Sequence, residues 1–437
     1  MKSHRYVPPP KKPQLIIKAP KGNAAHKSPR YGKVPIISSQ ISQAPTEQSI
    51  TPNLQPKSDE LFVDPVKPSF IFLNFASYLT ETEESEILQY RSIYYLRQQP
   101  PKNRRDKNMA VPKYFNFVLN DHIAYRYQQL QVLGKGSFGS VIKCLDHKTN
   151  QLVAVKLMYD KPKDHSQILF ELNILKRFQN DEDQHHIIKL IEHFQFRSFF
   201  CISMELMGPD VYNVLRMQRY KGYNIGTIQI IARQISDALA YMHSHNIIHC
   251  DIKPENILFE DNSKRNSRLI DFGCSCFIGN IMFSYIQSRY YRAPEVVFGV
   301  EYGPEIDIWS LGCVICEMYT GVPLFPAEDE TELMQMIAEV LGLPTLEQIQ
   351  QGPRSRHYFD QSGQMLRQPN SSGKLRLPGT SSIAAKTEIN DPELLDLIKK
   401  CLQWKPEDRI KADKIQEHPW LQKRLKSPRN IVSSGNN

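Results

Sequence analysis

A short run of residues at 249–256 combines the groups that phosphoryl transfer requires. It reads His-Cys-Asp-Ile-Lys-Pro-Glu-Asn, and an Asp-Phe-Gly tripeptide begins at Asp271. The carboxylate of Asp251 can orient an acceptor hydroxyl and take its proton, while the ammonium of Lys253 can neutralise charge on a phosphoryl group in transit. Asn256 and Asp271 carry the oxygen atoms that Mg²⁺ prefers. The sequence therefore predicts Asp251 and Lys253 as catalytic residues and Asn256 and Asp271 as metal ligands.

A glycine-rich turn lies between two predicted strands nearer the start of the chain. Residues 127–133 and 140–145 read as strands around Gly-Lys-Gly-Ser-Phe-Gly, which begins at Gly134. Glycine permits a backbone to approach phosphate oxygens closely, but glycine-rich turns also occur for steric reasons alone. A dinucleotide-binding fingerprint would open a helix, whereas this turn leads into a second strand. Another group is needed to decide between these interpretations.

Lys156 supplies that group at the end of the next strand, Val-Ala-Val-Lys. An isolated lysine there is usually just solvated, so its importance depends on Glu171. Residues 167–178 have apolar residues at helical spacing, and Glu171 lies on the same face. A carboxylate on an inward face is costly unless it is paired, and Lys156 is the expected partner. The alternative is a surface glutamate on an amphipathic helix.

The motifs so far resemble those of protein kinases, and this resemblance implies that the segment after the apolar strand 199–204 meets adenine through backbone groups, with Met204 guarding the deeper pocket. The residues that the resemblance implies for ATP binding are Leu133, Gly134, Lys135, Gly136, Ser137, Phe138, Gly139, Val141, Ala154, Lys156, Glu171, Glu205, Leu206 and Met207.

Composition limits the classes of protein to consider. With 437 residues, 41% of them hydrophobic and 23% charged, the chain can form one large core divided over two lobes. Its eight cysteines show neither the pairing of a zinc site nor an extracellular disulfide framework. No apolar run approaches the roughly eighteen residues of a membrane span. We therefore expect a soluble, monomeric protein inside the cell, in the cytoplasm, the nucleus or both, without membrane or direct nucleic-acid partners.

The formal charge of +9 is concentrated at the start of the chain. Residues 1–60 hold ten Lys or Arg and three Asp or Glu, so ten minus three places +7 of the charge there. This leader is rich in Pro, Ser and Gln and poor in aromatic residues, so it cannot bury enough apolar area to offset its ordering entropy. We expect it to be disordered. A plain solvated tail and a nuclear-import or docking element both remain open.

The motifs together resemble those of protein kinases, and two features are more specific. Cys250 stands where most protein kinases have arginine, and residues 285–295 read Tyr-Ile-Gln-Ser-Arg-Tyr-Tyr-Arg-Ala-Pro-Glu. Both are similar to the dual-specificity tyrosine-regulated kinases, the DYRK family. The likeness runs from about Leu79 to Leu425, and residues 79–96 with 121–127 resemble the class II branch.

This resemblance implies an α+β, bilobal protein-kinase fold, with a small antiparallel β-sheet lobe plus one helix and a larger, mainly helical lobe. The expected domains are a leader at 1–68, an accessory region at 69–120, the small lobe at 121–207, the large lobe at 208–425 with an insert at about 341–392, and a tail at 426–437. In the accessory region, Thr80 and Glu83 form a capping-box pattern that predicts a short helix. Arg409 is the expected ion-pair partner of Glu295.

The resemblance also implies a serine/threonine kinase that uses ATP and Mg²⁺ on protein substrates and phosphorylates its own Tyr285 once, during maturation. The phosphate would be held by Arg289 and Arg292, because Cys250 cannot form a charge-assisted bond with it. Three departures from the family pattern stand out. Tyr285 is the single acceptor in Phe-Ser-Tyr, and Met204 replaces the usual Phe. The acidic box expected before Asp121 is not recognisable in residues 108–120, which does not favour the family's usual docking of the accessory region.

Glu255 and Glu317 match positions that receive a basic substrate residue in related kinases. Family substrates often have Arg upstream and Pro after the acceptor, so we expect a preference for Arg-x-x-Ser/Thr-Pro. Asn213 stands where the best-known members have an acid, which would weaken selection for Arg. The alternative for Glu317 is an intramolecular ion pair.

Two other functions were weighed. A pseudokinase or scaffold would bind partners without turnover, and such proteins normally lose at least one of Lys156, Glu171, Asp251, Asn256 and Asp271, which are all present. A related kinase of the splicing-factor or homeodomain-interacting type is separated from this chain less decisively, by Cys250 and the accessory segment.

Overall fold

The computed structural model describes residues 61–423, except for 63, 103, 105–114, 137–138, 162–164, 180–184, 282, 367–368 and 371–372. Most of the expected leader, the whole tail, and Ser137 and Phe138 of the glycine-rich turn lie outside the described residues. Among the residues described, no helix is both long enough and apolar enough to span a bilayer.

The strands are β1 (His122–Ile123), β2 (Tyr127–Gly136), β3 (Gly139–Asp146), β4 (Gln151–Tyr159), β5 (Leu190–Phe196), β6 (Phe199–Glu205), β7 (Ile247–Ile248), β8 (Ile257–Phe259), β9 (Ser267–Leu269) and β10 (Cys276–Phe277). The α-helices are α1 (Pro68–Phe75), α2 (Glu81–Glu86), α3 (His165–Gln179), α4 (Val211–Met217), α5 (Ile225–Ser244), α6 (Pro294–Phe298), α7 (Glu305–Thr320), α8 (Glu330–Leu341), α9 (Leu346–Gln351), α10 (Ile383–Thr387), α11 (Pro392–Cys401), α12 (Ala412–Gln416) and α13 (Pro419–Gln422).

The small lobe is a six-stranded antiparallel sheet in the order β1-β2-β3-β4-β6-β5, and α3 accompanies it. Buried and partly exposed residues alternate along β3, as expected for a strand with one face on a core. The hairpin between β2 and β3 closes where Gly136 pairs with Gly139. Gly139 has φ +138°, and a Cβ there would lie 2.1 Å from the carbonyl oxygen of Leu157, so only glycine fits.

The large lobe is mainly helical and is built around α5 and α7. Nearly every residue of α7 is buried, and α5 buries the Ile and Leu residues that recur at three- and four-residue spacing. The expected α+β fold with two lobes is therefore confirmed. The expected ion pair is confirmed too: Arg409 donates to both carboxylate oxygens of Glu295, at 2.6 and 2.7 Å, in the interior.

The accessory region folds onto the sheet of the small lobe. The predicted capping box is present at the start of α2, where Thr80 Oγ1 accepts from the amide of Glu83 and the Glu83 carboxylate accepts from the amide of Thr80. Tyr125, next to β1, packs in one apolar cluster with accessory residues. Its carbonyl also accepts from the amides of Tyr94 and Tyr95, at 2.9 and 3.0 Å. The region is thus joined to the catalytic lobe by both apolar packing and backbone bonds.

One buried carboxylate organises this junction, in what we call the Glu83 cluster: Glu83, Arg97, Asp121, His122 and Arg197. Glu83 is 1% exposed and accepts from both terminal nitrogens of Arg97, from Arg197 at 3.1 Å and from His122 Nε2 at 3.1 Å. Burial alone would raise its pKa, but bonding to His122 and Arg97 lowers the pKa far below its usual value. The cluster draws on the accessory region, β1 and the β5–β6 turn, so it ties three separate segments together.

Candidate active site

The first turn of α7 supports the loop at 249–256. Asp307, at the start of that helix, accepts from the backbone amides of His249 and Cys250, at 2.8 and 2.9 Å, and from His243 Nε2 at 3.0 Å. Cys250 has φ +67°, a strained value for a residue with a side chain. Because Asp307 binds both amides, it can hold the loop in this shape. Asp307 lies more than fifty residues beyond the loop in sequence, so this support is formed only through the fold.

Asp251 is bonded on both carboxylate oxygens. Oδ1 accepts from the amide and hydroxyl of Ser288, at 3.1 and 2.8 Å, and Oδ2 accepts from Lys253 Nζ at 2.5 Å. Asn256 Nδ2 donates to the Asp251 carbonyl at 2.8 Å, which fixes the turn of the loop. The structure thus brings the two predicted catalytic residues together, beside a serine that sequence reasoning did not single out.

The predicted pair of Lys156 and Glu171 is confirmed, with Lys156 Nζ 2.6 Å from Glu171 Oε1. The same ammonium lies 3.1 Å from Asp271 Oδ1, so it joins the small lobe to the second predicted metal ligand. Burial disfavours the charged form of Lys156, but Asp271 and Glu171 outweigh burial and raise its pKa. Lys156 lowers the pKa of Asp271 in turn. Both groups are therefore charged near neutral pH.

Asn256 and Asp271 suit a divalent cation. The Nδ2 atom of Asn256 donates to the carbonyl and to the carboxylate of Asp251. Its amide oxygen is therefore the side-chain atom that can bind a metal ion. Asp271 is ionised, and its side chain is 34% exposed beside the cleft. One amide oxygen and one carboxylate are hard oxygen donors of the kind that bind Mg²⁺ together with phosphates.

The residues expected at the nucleotide come from β2, β3, β4, α3 and the end of β6 with the connection after it. Ala154 on β4 is buried and pairs with Met204 on β6, whereas Leu133 on β2 is 46% exposed. The Glu205 carboxylate accepts from the Lys189 amide at 2.7 Å and pairs with Arg268, so it is engaged away from any nucleotide. Glu205 can therefore offer a nucleotide only its backbone.

Arg289 and Arg292, the two arginines expected to bind a phosphate on Tyr285, have different contacts. Tyr285 is 57% exposed, and the Arg292 guanidinium lies over its ring, 4.0 Å from the ring centroid. Arg292 also donates to the carbonyls of Ile286 and Gln287 and to Glu330, at 2.8 to 2.9 Å. Arg289 instead bonds the backbone carbonyls at 327 and 328. Arg292 therefore lies at Tyr285, while Arg289 is bonded to the segment just before α8.

The two predicted substrate-binding acids differ in access. Glu255 is exposed at its surface. Partial desolvation raises its pKa, as do the negative charges of Asp251 and Asp210. Glu317 is 1% exposed and accepts from the Tyr291 hydroxyl at 2.7 Å, with no ion pair among the described residues. Burial, and the charge of Glu255, raise the Glu317 pKa to about 8. Glu255 is thus the directly accessible acid, and Asp210 is a neighbour that the sequence did not reveal.

Cys250 lies in the interior of the large lobe. It is fully buried, and its sulfur is 3.6 Å from the sulfur of Cys276. Burial raises its pKa well above the ordinary thiol value, so it is a neutral thiol at physiological pH. Its side chain therefore has no charge with which to bind a phosphate.

Comparisons with known proteins agree with this geometry. The family model described as the protein kinase domain matches residues 127–421. The dual specificity tyrosine-phosphorylation-regulated kinase 2 of Drosophila melanogaster is 39% identical over 370 residues, which are 82% of this chain and 51% of the relative. The dual specificity tyrosine-phosphorylation-regulated kinase 4 of Homo sapiens is 38% identical, with 79% and 68% covered. The serine/threonine-protein kinase ppk5 of Schizosaccharomyces pombe is 39% identical, with 82% and 44% covered. The chain spans about half the length of the first and third of these relatives.

Proposed function

Since the chain belongs to the protein kinases and, among them, to the dual-specificity tyrosine-phosphorylation-regulated kinases, we propose that it transfers the γ-phosphoryl group of ATP to serine and threonine residues of proteins. The observation that carries this proposal is the connected set of Lys156, Glu171 and Asp271 facing Asp251 and Lys253. A scaffold without turnover would not need all of these groups in bonding positions.

The reaction follows from what each side chain can do. Lys156, held by Glu171, can bind the nucleotide phosphates, and Asp251 can orient the acceptor hydroxyl and accept its proton. Lys253, bonded to Asp251, lies where it can neutralise the transferring group. Asn256 and Asp271 would hold Mg²⁺, which when bound offsets the charge of the phosphates. Positioning and charge stabilisation are the main requirements of phosphoryl transfer.

Incubation with Mg-ATP and a basic protein tests the proposal. Phosphate on serine or threonine of that protein supports a kinase, whereas nucleotide binding with no transfer would favour the scaffold. We further propose that the enzyme is of the class II branch, acts as a monomer inside the cell, in the cytoplasm, the nucleus or both, and contacts neither membrane nor nucleic acid directly.

Tyr285 is proposed to be phosphorylated by the protein itself, once, during maturation. The contacts of Arg292 with two backbone carbonyls and Glu330 support this timing, because groups of the protein itself can hold the segment once it has folded. Tyr285→Phe should lower the activity of protein folded with that change several-fold, because no phosphate can then be added during folding, whereas phosphatase treatment of mature wild type should leave most of its activity. The measurement is peptide phosphorylation combined with mass spectrometry of the 285 site. Unmodified Tyr285 in fully active enzyme would refute the proposal.

A proline after the acceptor is favoured by the backbone at Gln287. This residue has φ +67°, and its carbonyl accepts from Arg292 at 2.8 Å. One lone pair of this carbonyl is thus already taken by a guanidinium, which leaves the carbonyl a poorer acceptor for the amide of a substrate residue. A residue other than proline would leave its N–H weakly paired or unpaired beside it, which costs free energy, whereas proline has no N–H. Ser288, the next residue, bonds Asp251, so this backbone lies directly beside the acceptor position.

An arginine upstream of the acceptor is proposed to bind Glu255, with Asp210 and Glu317 adding negative charge. Because the Glu317 pKa is raised to about 8, this acid is largely neutral at pH 7 and charged at pH 9. The kcat/KM ratio of an Arg-x-x-Ser-Pro peptide to its Ala-x-x-Ser-Pro counterpart should therefore rise between pH 7 and 9. A peptide array in which neither Arg nor Pro changes the rate would exclude the proposed selectivity. A kcat/KM ratio that does not change with pH would exclude a contribution of Glu317 to binding the arginine.

A further inference from the structure

Helix α3 carries a second polar residue on the face that holds Glu171. Gln167 lies four residues before Glu171, and side chains with this spacing are neighbours on one face of a helix. Glu171 pairs with Lys156, whereas the side chain of Gln167 reaches the segment that follows Asp271. Gln167 belongs to none of the motifs that point to phosphoryl transfer.

The bond that Gln167 forms is directed at the backbone. Its Nε2 atom donates to the carbonyl of Gly273 at 2.6 Å. Gly273 is buried, and among the described residues Gln167 is the one donor to this carbonyl. Because an unpaired carbonyl in the interior costs free energy, the bond favours one position of the chain at Gly273.

Gly273 lies directly beside two carboxylates of the site. A Cβ atom added to it would be 3.4 Å from Asp271 Oδ1 and 3.6 Å from Glu171 Oε2. A shift of Gly273 would therefore disturb both the predicted metal ligand and the acid that pairs with Lys156. Asp271 also has φ +66°, a strained value that persists only where the surrounding structure holds it.

Two bonds hold the strained segment 271–273 at its two ends. Lys156 Nζ donates to the carboxylate of Asp271 at 3.1 Å, and Gln167 donates to the carbonyl of Gly273. Both bonds lead back to α3, because Lys156 is itself bonded to Glu171. The helix and the segment thus form a closed ring of bonds, in which the uncharged amide of Gln167 supplies a directional contact.

We propose that Gln167 is a positioning residue for Asp271. Its bond to Gly273 keeps the Asp271 carboxylate in its place beside the cleft, where that carboxylate can bind a divalent cation. This proposal rests on the proposed kinase function and adds a residue to its machinery. Gln167 acts through the backbone and does not itself touch the substrate or the cation.

Two variants of similar shape test the bond. Gln167→Met keeps the length and the apolar stem of the side chain but has no N–H to donate. Gln167→Glu places a carboxylate oxygen against the Gly273 carbonyl, so its effects should have the same direction and be larger. Gln179→Met is the matched control, because Gln179 is exposed at the end of the same helix.

Hydrogen exchange of the nucleotide-free protein is the first measurement. The amide of Ser275 donates to the carbonyl of Phe272 at 3.1 Å, so its exchange reports opening of the segment after Asp271. This amide should exchange about fivefold faster in Gln167→Met, the factor expected for the loss of one uncharged hydrogen bond. Exchange within α5 and α7 should match that of wild type, and Gln179→Met should match wild type throughout.

Mn²⁺ binding is the second measurement, followed by electron paramagnetic resonance in the presence of a non-hydrolysable ATP analogue. Gln167→Met should weaken Mn²⁺ binding about fivefold and lower kcat by a similar factor. Affinity for the analogue without metal should stay within about twofold of wild type, because the pair of Lys156 and Glu171 is retained. A side chain that only packs would give a methionine variant with wild-type Mn²⁺ affinity.

The two measurements also separate the possible failures. Wild-type exchange at Ser275 and wild-type Mn²⁺ affinity in both Gln167 variants would overturn the inference. Faster exchange throughout α7 would assign Gln167 to overall stability and would overturn it equally. If wild type transfers no phosphate from Mg-ATP to a basic protein, the kinase function fails, and the exchange and Mn²⁺ results still decide whether Gln167 positions Asp271.

Discussion

The Asp251→Asn variant is expected to lose about three orders of magnitude of kcat, within the range that a positioned proton acceptor contributes. Asparagine has nearly the same shape, and its oxygen can still accept from the amide and hydroxyl of Ser288. It cannot take the proton of an acceptor hydroxyl, and it gives Lys253 no negative charge to pair with. The measurement is single-turnover phosphoryl transfer at saturating peptide, with nucleotide affinity determined in parallel by a fluorescent ATP analogue.

Asp261→Asn is the matched control, because Asp261 is exposed and bonds only the neighbouring turn at Ser263. It should retain wild-type kcat. Nucleotide affinity of Asp251→Asn should stay near that of wild type, since Lys156 and its two partners are untouched. An Asp251→Asn enzyme with more than about a tenth of wild-type kcat would contradict its assignment as the proton acceptor.

The second large effect is expected at the Glu83 cluster. Glu83→Gln should destabilise the accessory region by about 3–5 kcal/mol, because it leaves the buried guanidinium of Arg97 without its main counter-charge. Hydrogen exchange of residues 66–97, together with urea unfolding, measures this loss. Glu84→Gln is the control, since Glu84 forms a solvent-exposed pair with Arg104 and should cost no more than about 1 kcal/mol. Equal losses of stability in the two variants would show that the buried Glu83 contributes no more than an exposed carboxylate.

The same cluster predicts a pH dependence. Because the folded-state pKa of Glu83 is lowered, its contribution to stability is complete above the ordinary carboxyl value of 4.5 and is lost progressively as pH falls from there toward the much lower folded-state pKa. The stability difference between wild type and Glu83→Gln should therefore shrink in acid. Urea unfolding at about pH 7 and at about pH 3 checks this, and a constant difference would exclude an ionised Glu83 as its source.

The parts of the site that could be predicted from sequence are those fixed by local physical constraints. The loop at 249–256 carries its chemistry within eight residues, and the start of α2 is marked by the reciprocal bonds of Thr80 and Glu83. The pairing of Lys156 with Glu171 followed from the cost of an unpaired carboxylate on an inward helix face.

What could not be predicted depends on segments that meet only through the fold. Ser288 reaches Asp251 from 37 residues away. No local pattern marks this contact, because it is set by how the segments of the large lobe pack. Arg289 shows the same limit, since its partners at 327–328 come into range only through the position of α8.

The bonds of Arg292 bear on how a cell could adjust such an enzyme. Two of its bonds go to backbone carbonyls and one to Glu330, so groups of the protein itself hold the segment beside the acceptor position. If Tyr285 is modified only once, as proposed, a phosphatase acting on the mature protein would change its activity little. The total kinase activity in a cell would then depend on how much of the protein is synthesised and degraded. Protein turnover, more than reversible phosphorylation of Tyr285, would set the level of substrate phosphorylation.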